Sequence, residues 1–431
     1  MTGVLQLSSL CNRSIVPVLN QPQLIYVLTE LLPGQAMSQV RLPLNFTLVL
    51  DRSGSMAGEK LRTMKEAVKR IIEQLDPADI VSLITFETKT QVIAQAQQAT
   101  DKRNLMRLID RIDDGGGTVM APALREGIKQ VSKYHTANRI TRLVLLTDGE
   151  ATDKEDHSRR EADQAGKMGI PIIGLGFGRD WKEDFVMELS DRSRMAPPGS
   201  RAGQTEFIPA PEYAMAVFQE VYQSMQIVAQ NVACNIRMVQ GLEARRVWQV
   251  VPMIRDISAG TIQGRAIVLQ VGELEQNGAA YLAEIMIPPR PDGAVRIAQT
   301  DITYTAPGRG IDRQAVDLVV QYSSEPATTG HYNGRVMNIV EKVQAFKLQT
   351  QALSEAEVGN VGSATRKLRA AVTILLNQGE ADLANQMAQE ADRLEMSGEF
   401  SSEGKKTIKL TSRKTVRLSD ITSSEDSGTG N

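Results

Sequence analysis

Three short polar stretches in this chain could do chemistry. Asp51, Ser53 and Ser55 stand in DRSGSM, directly after the apolar run LPLNFTLVL. Thr118 follows three glycines in DDGGGTVM, and Asp148 follows the apolar run TRLVLLT. Singly, each stretch is ordinary: Asp51 and Ser53 could cap a helix starting near Lys60, and Asp148 could turn a loop. Brought to one edge of a fold, two carboxylates and three hydroxyls make a hard, all-oxygen site. Such a site suits Mg²⁺, Mn²⁺ or Ca²⁺ and disfavours zinc, which prefers nitrogen and sulfur. Few direct ligands leave coordination positions for water or for an oxygen from a partner.

The elements around these stretches decide whether they can meet. LNFTLVL is apolar without a break, as in a strand buried on both faces. EKLRTMKEAVKRIIEQL repeats Leu61, Met64, Val68, Ile71, Ile72 and Leu75 at helical spacing. DIVSLITFET and TQVIAQAQ read as strands, and TDKRNLMRLIDRI as a helix opening on an N-cap threonine. APALREGIKQVSKY is a further helix, TRLVLLTD a second buried strand, and READQAGKMG a helix closed by glycine. IPIIGLGFG is a third buried strand and EYAMAVFQEVYQSMQIV the closing helix. The alternation predicts an α/β unit over 44–228, a doubly wound, mostly parallel sheet covered on both faces. Ligands of such sheets bind outside the carboxyl ends of the strands, where all three polar stretches lie.

The set resembles the metal-ion-dependent adhesion site of von Willebrand factor A domains, in a bacterial intracellular type. DRSGSM matches the DxSxS signature, GGGT supplies the loop threonine, and LLTDGE the second aspartate. The likeness extends over about 44–228, includes the order of strands and helices, and implies a Rossmann-like fold. It implies that Ser53, Ser55 and Thr118 are direct or near-direct ligands. Asp51 and Asp148 would lie close in, reaching the metal directly or through water. It also implies that a carboxylate from a binding partner fills the open position, and an electron-poor cation held mainly by neutral oxygens would favour such an anion.

The flanks read differently. Residues 229–325 carry short alternating segments such as AIVLQVGEL, AAYLAEIMIP and AVDLVVQYS, separated by breakers such as QNG and PPRPDG. This is an all-β unit, expected to be a sandwich, and residues 1–43 have the same character but are too short to fold alone. The α/β unit is thus expected as an insertion in one β domain. Residues 330–397 carry helical stripes, among them Val336, Val340, Val343 and Phe346, and predict a helical hairpin or small bundle. Residues 398–431 are polar enough to predict a disordered tail.

Composition narrows the function classes. The chain has 431 residues, a net charge of -2 and 4% aromatics. No bulk field attracts it to nucleic acid or an anionic membrane, and few rings are available for base stacking. The longest apolar runs fall well short of the roughly 20 residues that span a bilayer. The amino terminus lacks a basic segment followed by an apolar core, so the expected location is cytoplasmic. Cys11 and Cys234 are the two cysteines, and whether they pair depends on whether their strands are neighbours. GLGFG lacks the spacing of a dinucleotide loop and reads as a strand end packed against a helix. His135, His157 and His331 form no metal-ligand spacing and read as surface residues. GEFSSEGKKT has one residue too many for a phosphate-binding loop.

In the tail, KTIKL and KTVRL repeat a basic residue, threonine, an aliphatic, a base and leucine. Thr407 and Thr415 are therefore candidate sites for a Ser/Thr kinase, and leucine three residues on resembles ligands of forkhead-associated domains. A solvated charge run, or an edge strand added to a sheet, are the competing readings. The expected function is a non-enzymatic, Mg²⁺-dependent scaffold that captures a partner's carboxylate. The alternative is a recruiting or co-chaperone subunit of a complex driven by a separate MoxR-like AAA+ ATPase, since the chain carries no nucleotide loop of its own. No general base or nucleophile pair accompanies the site, which disfavours a hydrolase.

Overall fold

Leu44–Asp51 (β1) is buried at every position, as a strand covered on both faces must be. In the computed structural model, which describes residues 5–34, 42–149, 151–194, 204–306, 310–414 and 416, it lies centrally in a six-stranded sheet. The others are Ile80–Phe86 (β2), Thr90–Gln98 (β3), Ile140–Thr147 (β4), Ile172–Phe177 (β5) and Gln204–Ile208 (β6). Their order is β3-β2-β1-β4-β5-β6, parallel throughout except for the β2–β3 pair. The chain builds outward from β1 to one edge, returns, and builds from β4 to the other. The reversal falls between β1 and β4.

Helices cover both faces of this sheet. Glu59–Gln74 (α1), Lys102–Asp110 (α2) and Pro211–Ser224 (α6) pack on one side, through Met64, Val68, Leu105 and Phe218 against Phe46, Leu48 and Val144. Ala121–Ser132 (α3), Glu155–Lys167 (α4) and Glu183–Arg192 (α5) pack on the other, through Leu124, Ala162 and Leu189 against Val49, Leu143 and Leu145. The architecture is the expected doubly wound α/β fold. Two boundaries differ from the sequence reading. Asp101 rather than Thr100 caps α2, its side chain accepting from the Asn104 N–H. The closing helix stops at Ser224, and Ile227 already begins a strand.

GLGFG owes its glycines to close packing. A Cβ on Gly176 would stand 1.9 Å from the Trp181 ring, so only glycine lets that indole lie against β5. Trp181 is buried there and donates its Nε1–H to the Gly178 carbonyl at 3.1 Å.

The second unit combines the chain before residue 41 with the chain from Val228 onward. Two sheets face each other across one core. The five-stranded sheet runs 5–11, 23–33, 279–287, 243–251, 255–256, and the six-stranded sheet 262–263, 266–275, 227–238, 293–306, 310–323, 15–17. Amino-terminal strands thus enter both sheets, and Val27 and Ile285 from one meet Ile236 and Ile302 from the other. Cys11 and Cys234 lie in different sheets, both buried and both free thiols.

Three long helices follow: Gly334–Glu357 (α7), Val361–Asn377 (α8) and Ala381–Ser397 (α9). The first covers the outer face of the five-stranded sheet, placing Val336, Ile339, Val343 and Phe346 over Leu28, Trp248, Val250 and Leu282. The disordered tail expected over 398–431 is corrected for residues 398–414 and 416, while residues 415 and 417–431 lie outside the described residues. Residues Ser402–Lys406 form a short helix (α10), and irregular helical turns continue to Lys414. Phe400 and Ile408 complete the core of α7, α8 and α9, while Val416 joins the cluster over the sheet. The Ile254 N–H donates to the Arg413 carbonyl at 2.7 Å, tying this segment to the sandwich. Low local hydrophobicity misled the sequence reading, because the segment's few apolar residues dock on surfaces supplied by distant elements. Among the described residues, no helix is long and apolar enough to cross a membrane.

Candidate metal site

Parallel pairing sets the ends of β1 and β4 level, with Leu50 opposite Leu146. Asp51 and Thr147 therefore end adjacent strands at the point where the sheet order reverses, the place where open α/β sheets bind ligands. The Thr147 Oγ1–H donates to Asp51 Oδ2 at 2.7 Å, and the Ser53 N–H donates to Asp51 Oδ1 at 2.8 Å. Asp51 is 0% exposed. Burial pushes its carboxyl up from 3.8 to about 6, against hydrogen bonding from the Ser53 N–H, the Ser53 hydroxyl and the Thr147 hydroxyl that pulls it down, and the neighbouring Asp148 charge adds a further push.

Asp51 and Ser53 do not cap α1. The N-cap of that helix is Gly58, with no side-chain cap, and Ser53 makes no side-chain cap to the 3-10 turn Gly54–Met56. Their side chains instead face the site. The Ser53 and Ser55 hydroxyl oxygens lie 3.1 Å apart, and the Ser55 Oγ–H donates to Asp148 Oδ1 at 2.7 Å. The other Asp148 oxygen accepts from Lys60 Nζ at 2.5 Å.

Thr118 arrives on a loop fastened on several sides. The Gly54 N–H donates to Gly116 O at 3.1 Å, Gly115 N–H to Arg52 O at 2.9 Å, and Val119 N–H to Glu87 O at 2.8 Å. Gly116 has φ +64, and a Cβ there would stand 2.0 Å from Glu87 Oε2, so the loop needs glycine at this turn. The Thr118 carbonyl accepts from the Thr152 N–H at 2.8 Å. Asp153 accepts from the Met120 and Ala121 N–H groups at 3.1 and 3.0 Å, capping α3 from a distant loop. A Cβ on Gly149 would lie 3.8 Å from both the Ser55 and the Thr118 hydroxyl oxygens, so these two converge over the start of the loop after β4.

All five sequence-derived residues therefore gather at one sheet edge. Asp51, Ser53, Thr118 and Asp148 are buried, and Ser55 is exposed. Among the described residues no group of three or more His, Cys, Asp or Glu side chains is placed to hold a metal. A cation here would depend on hydroxyl oxygens beside two carboxylates, and the arrangement offers them: three alcohols and two acids of matching hardness around an open cradle. Glu150 lies outside the described residues. Sequence reading missed Thr147, Asp153 and Lys60. Thr147 ends a strand read only as apolar, Asp153 lies five residues after Asp148, and Lys60 sits among the charges of an amphipathic helix.

The candidate kinase sites fare differently. Thr407 is buried between Lys406 and Ile408, which are each 1% exposed, so no kinase reaches it while the segment is packed. Thr415 lies outside the described residues. His135, His157 and His331 are exposed, as expected.

Comparison with known proteins agrees with this architecture. Residues 45–201 match the von Willebrand factor type A domain, and residues 334–418 match the Sll0103-like, C-terminal alpha-helical domain. The uncharacterized protein sll0103 of Synechocystis sp. is 26% identical over 391 residues, covering 88% of this chain and 89% of that protein. Human inter-alpha-trypsin inhibitor heavy chain H4 is 31% identical over 163 residues, 35% of this chain but 17% of that protein, so the likeness is confined to one domain. Among solved structures, a von Willebrand factor type A protein from Catenulispora acidiphila superposes with a TM-score of 0.69 at 17% identity, covering 96% of this chain and 98% of that one. The ArnB paralog VWA2 from Sulfolobus acidocaldarius gives 0.51 at 15% identity, covering 96% and 100%. Both structural likenesses speak to the fold. The chain therefore carries a von Willebrand factor type A domain followed by an Sll0103-like C-terminal helical domain.

Proposed function

We propose that this chain is a non-catalytic protein-binding module whose von Willebrand A domain grips its partner through a divalent cation, Mg²⁺ in the first instance. The observation that carries this reading is the convergence of Ser53, Ser55 and Asp148 in one hydrogen-bonded row beside Asp51, with the Thr118 hydroxyl facing the same cradle. Ser53, Ser55 and Thr118 would hold the ion directly or nearly so. Asp51 and Asp148 would hold it directly or through water. The bound ion supplies a Lewis-acidic point at the surface, available to an external oxygen.

The residues around that point determine how it is used. Asp51 is anchored at both oxygens and cannot swing outward. Ser55 is exposed, so a partner's acid approaches from its side of the site. A carboxylate from another protein matches this requirement in hardness and charge, and fixes one point of an interface by a charge-assisted contact. The site's side chains are acids, alcohols and one ammonium, a set suited to holding an ion rather than to shuttling a proton.

Affinity capture from native lysate tests the reading, with Mg²⁺, with chelator, and with Asp51→Ala in Mg²⁺. A protein retained by the wild type in Mg²⁺ and lost in both other arms supports it. An identical set of retained proteins in all three arms overturns it.

A further inference from the structure

Lys60 is not one of the five oxygen donors, yet it makes the closest contact to one of them. Its Nζ is 2.5 Å from Asp148 Oδ2, and the pair is asymmetric, with the Asp148 side chain 0% exposed and the Lys60 side chain 26% exposed. A carboxylate removed from water this completely needs a compensating charge, and Lys60 provides it. The two Asp148 oxygens are thus divided, one accepting from the Ser55 hydroxyl and the other from an ammonium.

Local structure places the lysine for this task. Lys60 is the second residue of α1, and Gly58 as N-cap presents no side chain that could compete for the site. Its ammonium also lies beside Gly178, 3.5 Å from where a Cβ would be, so that glycine leaves the path to Asp148 clear. Arg52, on the loop that carries Ser53, pairs with Glu87 at 3.3 Å.

We propose that Lys60 is a built-in counter-ion of the metal site, holding Asp148 in the metal-free protein and competing with a divalent cation for that carboxylate. This rests on the reading that the site binds such a cation. With both carboxylates ionised, Asp51, Asp148 and Lys60 sum to -1. A divalent ion changes the sum to +1. The ion alone would only neutralise the two acids, so the lysine supplies the surplus positive charge that a partner's carboxylate would answer. Lys60 acts through Asp148 and is a positioning residue.

The test compares full-length wild type, Lys60→Met and Lys60→Arg by Mg²⁺ calorimetry and by thermal melting in chelator. The proposal expects Lys60→Met to melt lower in chelator, yet to bind Mg²⁺ at least about tenfold tighter, as follows from removing one like charge beside the ion. Lys60→Arg keeps wild-type values in both. A measurement on the unmodified chain runs alongside: Lys60 acylation by acetic anhydride, read by mass spectrometry, rises severalfold when Mg²⁺ replaces chelator. Wild type that binds Mg²⁺ while Lys60→Met binds no tighter, or Lys60 reactivity that Mg²⁺ leaves unchanged, overturns the counter-ion role alone. No Mg²⁺ binding by either protein overturns both this role and the metal-site reading.

Discussion

Ser55 and Asp148 are 93 positions apart in sequence, and their side chains meet at 2.7 Å. That contact joins the loop after β1 to the loop after β4, and the metal-site reading depends on the junction. Parallel pairing of two fully buried strands brings their ends together, so the geometry follows from the sheet rather than from either loop.

Asp51 makes the site pH-sensitive. Its carboxyl titrates near 6 in the metal-free fold and near 3.8 when exposed. The folded state therefore holds the proton more tightly, and metal-free stability falls as pH rises from about 4 to 6. Two units correspond to roughly 3 kcal/mol. Urea unfolding in chelator should show wild type losing stability relative to Asp51→Asn between pH 5 and pH 7. Saturating Mg²⁺ should cancel most of that loss, and Mg²⁺ affinity should fall below pH 6 in the wild type as protons compete for Asp51.

Thr147 is 0% exposed and donates to Asp51 Oδ2. Thr147→Val keeps the shape and removes the donor from a buried carboxylate. The expected cost in metal-free protein at pH 7 is about 1–3 kcal/mol by chemical denaturation. Lowering the pH to 5 should shrink it, because the carboxyl is then largely neutral. A cost independent of pH would assign Thr147 to packing alone.

Asp153 holds two N–H groups at the start of α3. Asp153→Ala should destabilise the chain by about 1 kcal/mol, the ordinary cost of a lost helix cap. It should also loosen the Thr118 loop and weaken Mg²⁺ binding severalfold. Asp153→Asn, which can still accept one of the two bonds, should fall between.

The docked carboxyl-terminal segment has its own consequences. Ile408 is 1% exposed within the core of α7, α8 and α9. Ile408→Ala should cost about 2–5 kcal/mol. A Ser/Thr kinase that modifies a free peptide of residues 402–414 at Thr407 should leave the native chain unmodified there, by phosphopeptide mass spectrometry. Comparable rates on peptide and protein would mean that the segment undocks readily.

Much of the fold was legible because two periodicities alternate. LNFTLVL and TRLVLLT are apolar at every position, while EKLRTMKEAVKRIIEQL repeats every three to four residues, and this contrast requires a sheet covered on both faces. The five candidate site residues could be picked out for the same reason, since each follows a recognisable strand or opens a helix. Lys60, Thr147 and Asp153 were not. Their roles depend on which loop ends face each other, and a lysine on a charged helix face looks like any solvated residue. The segment after Gly398 was misread because Phe400, Ile408, Leu410 and Val416 are too sparse to form a core of their own. Phe400 and Ile408 bury themselves in a core that includes Ala345 and Leu368, and Val416 against Trp248 and Val336, all supplied by other elements.

Equilibrium binding of Mn²⁺ to the full chain, followed by electron paramagnetic resonance, tests the central claim most directly. The account predicts one ion per wild-type chain, displaced by Mg²⁺, with affinity reduced more than about tenfold in Asp51→Ala and in Ser55→Ala. Mn²⁺ bound equally well by all three proteins, or by none of them, would contradict it.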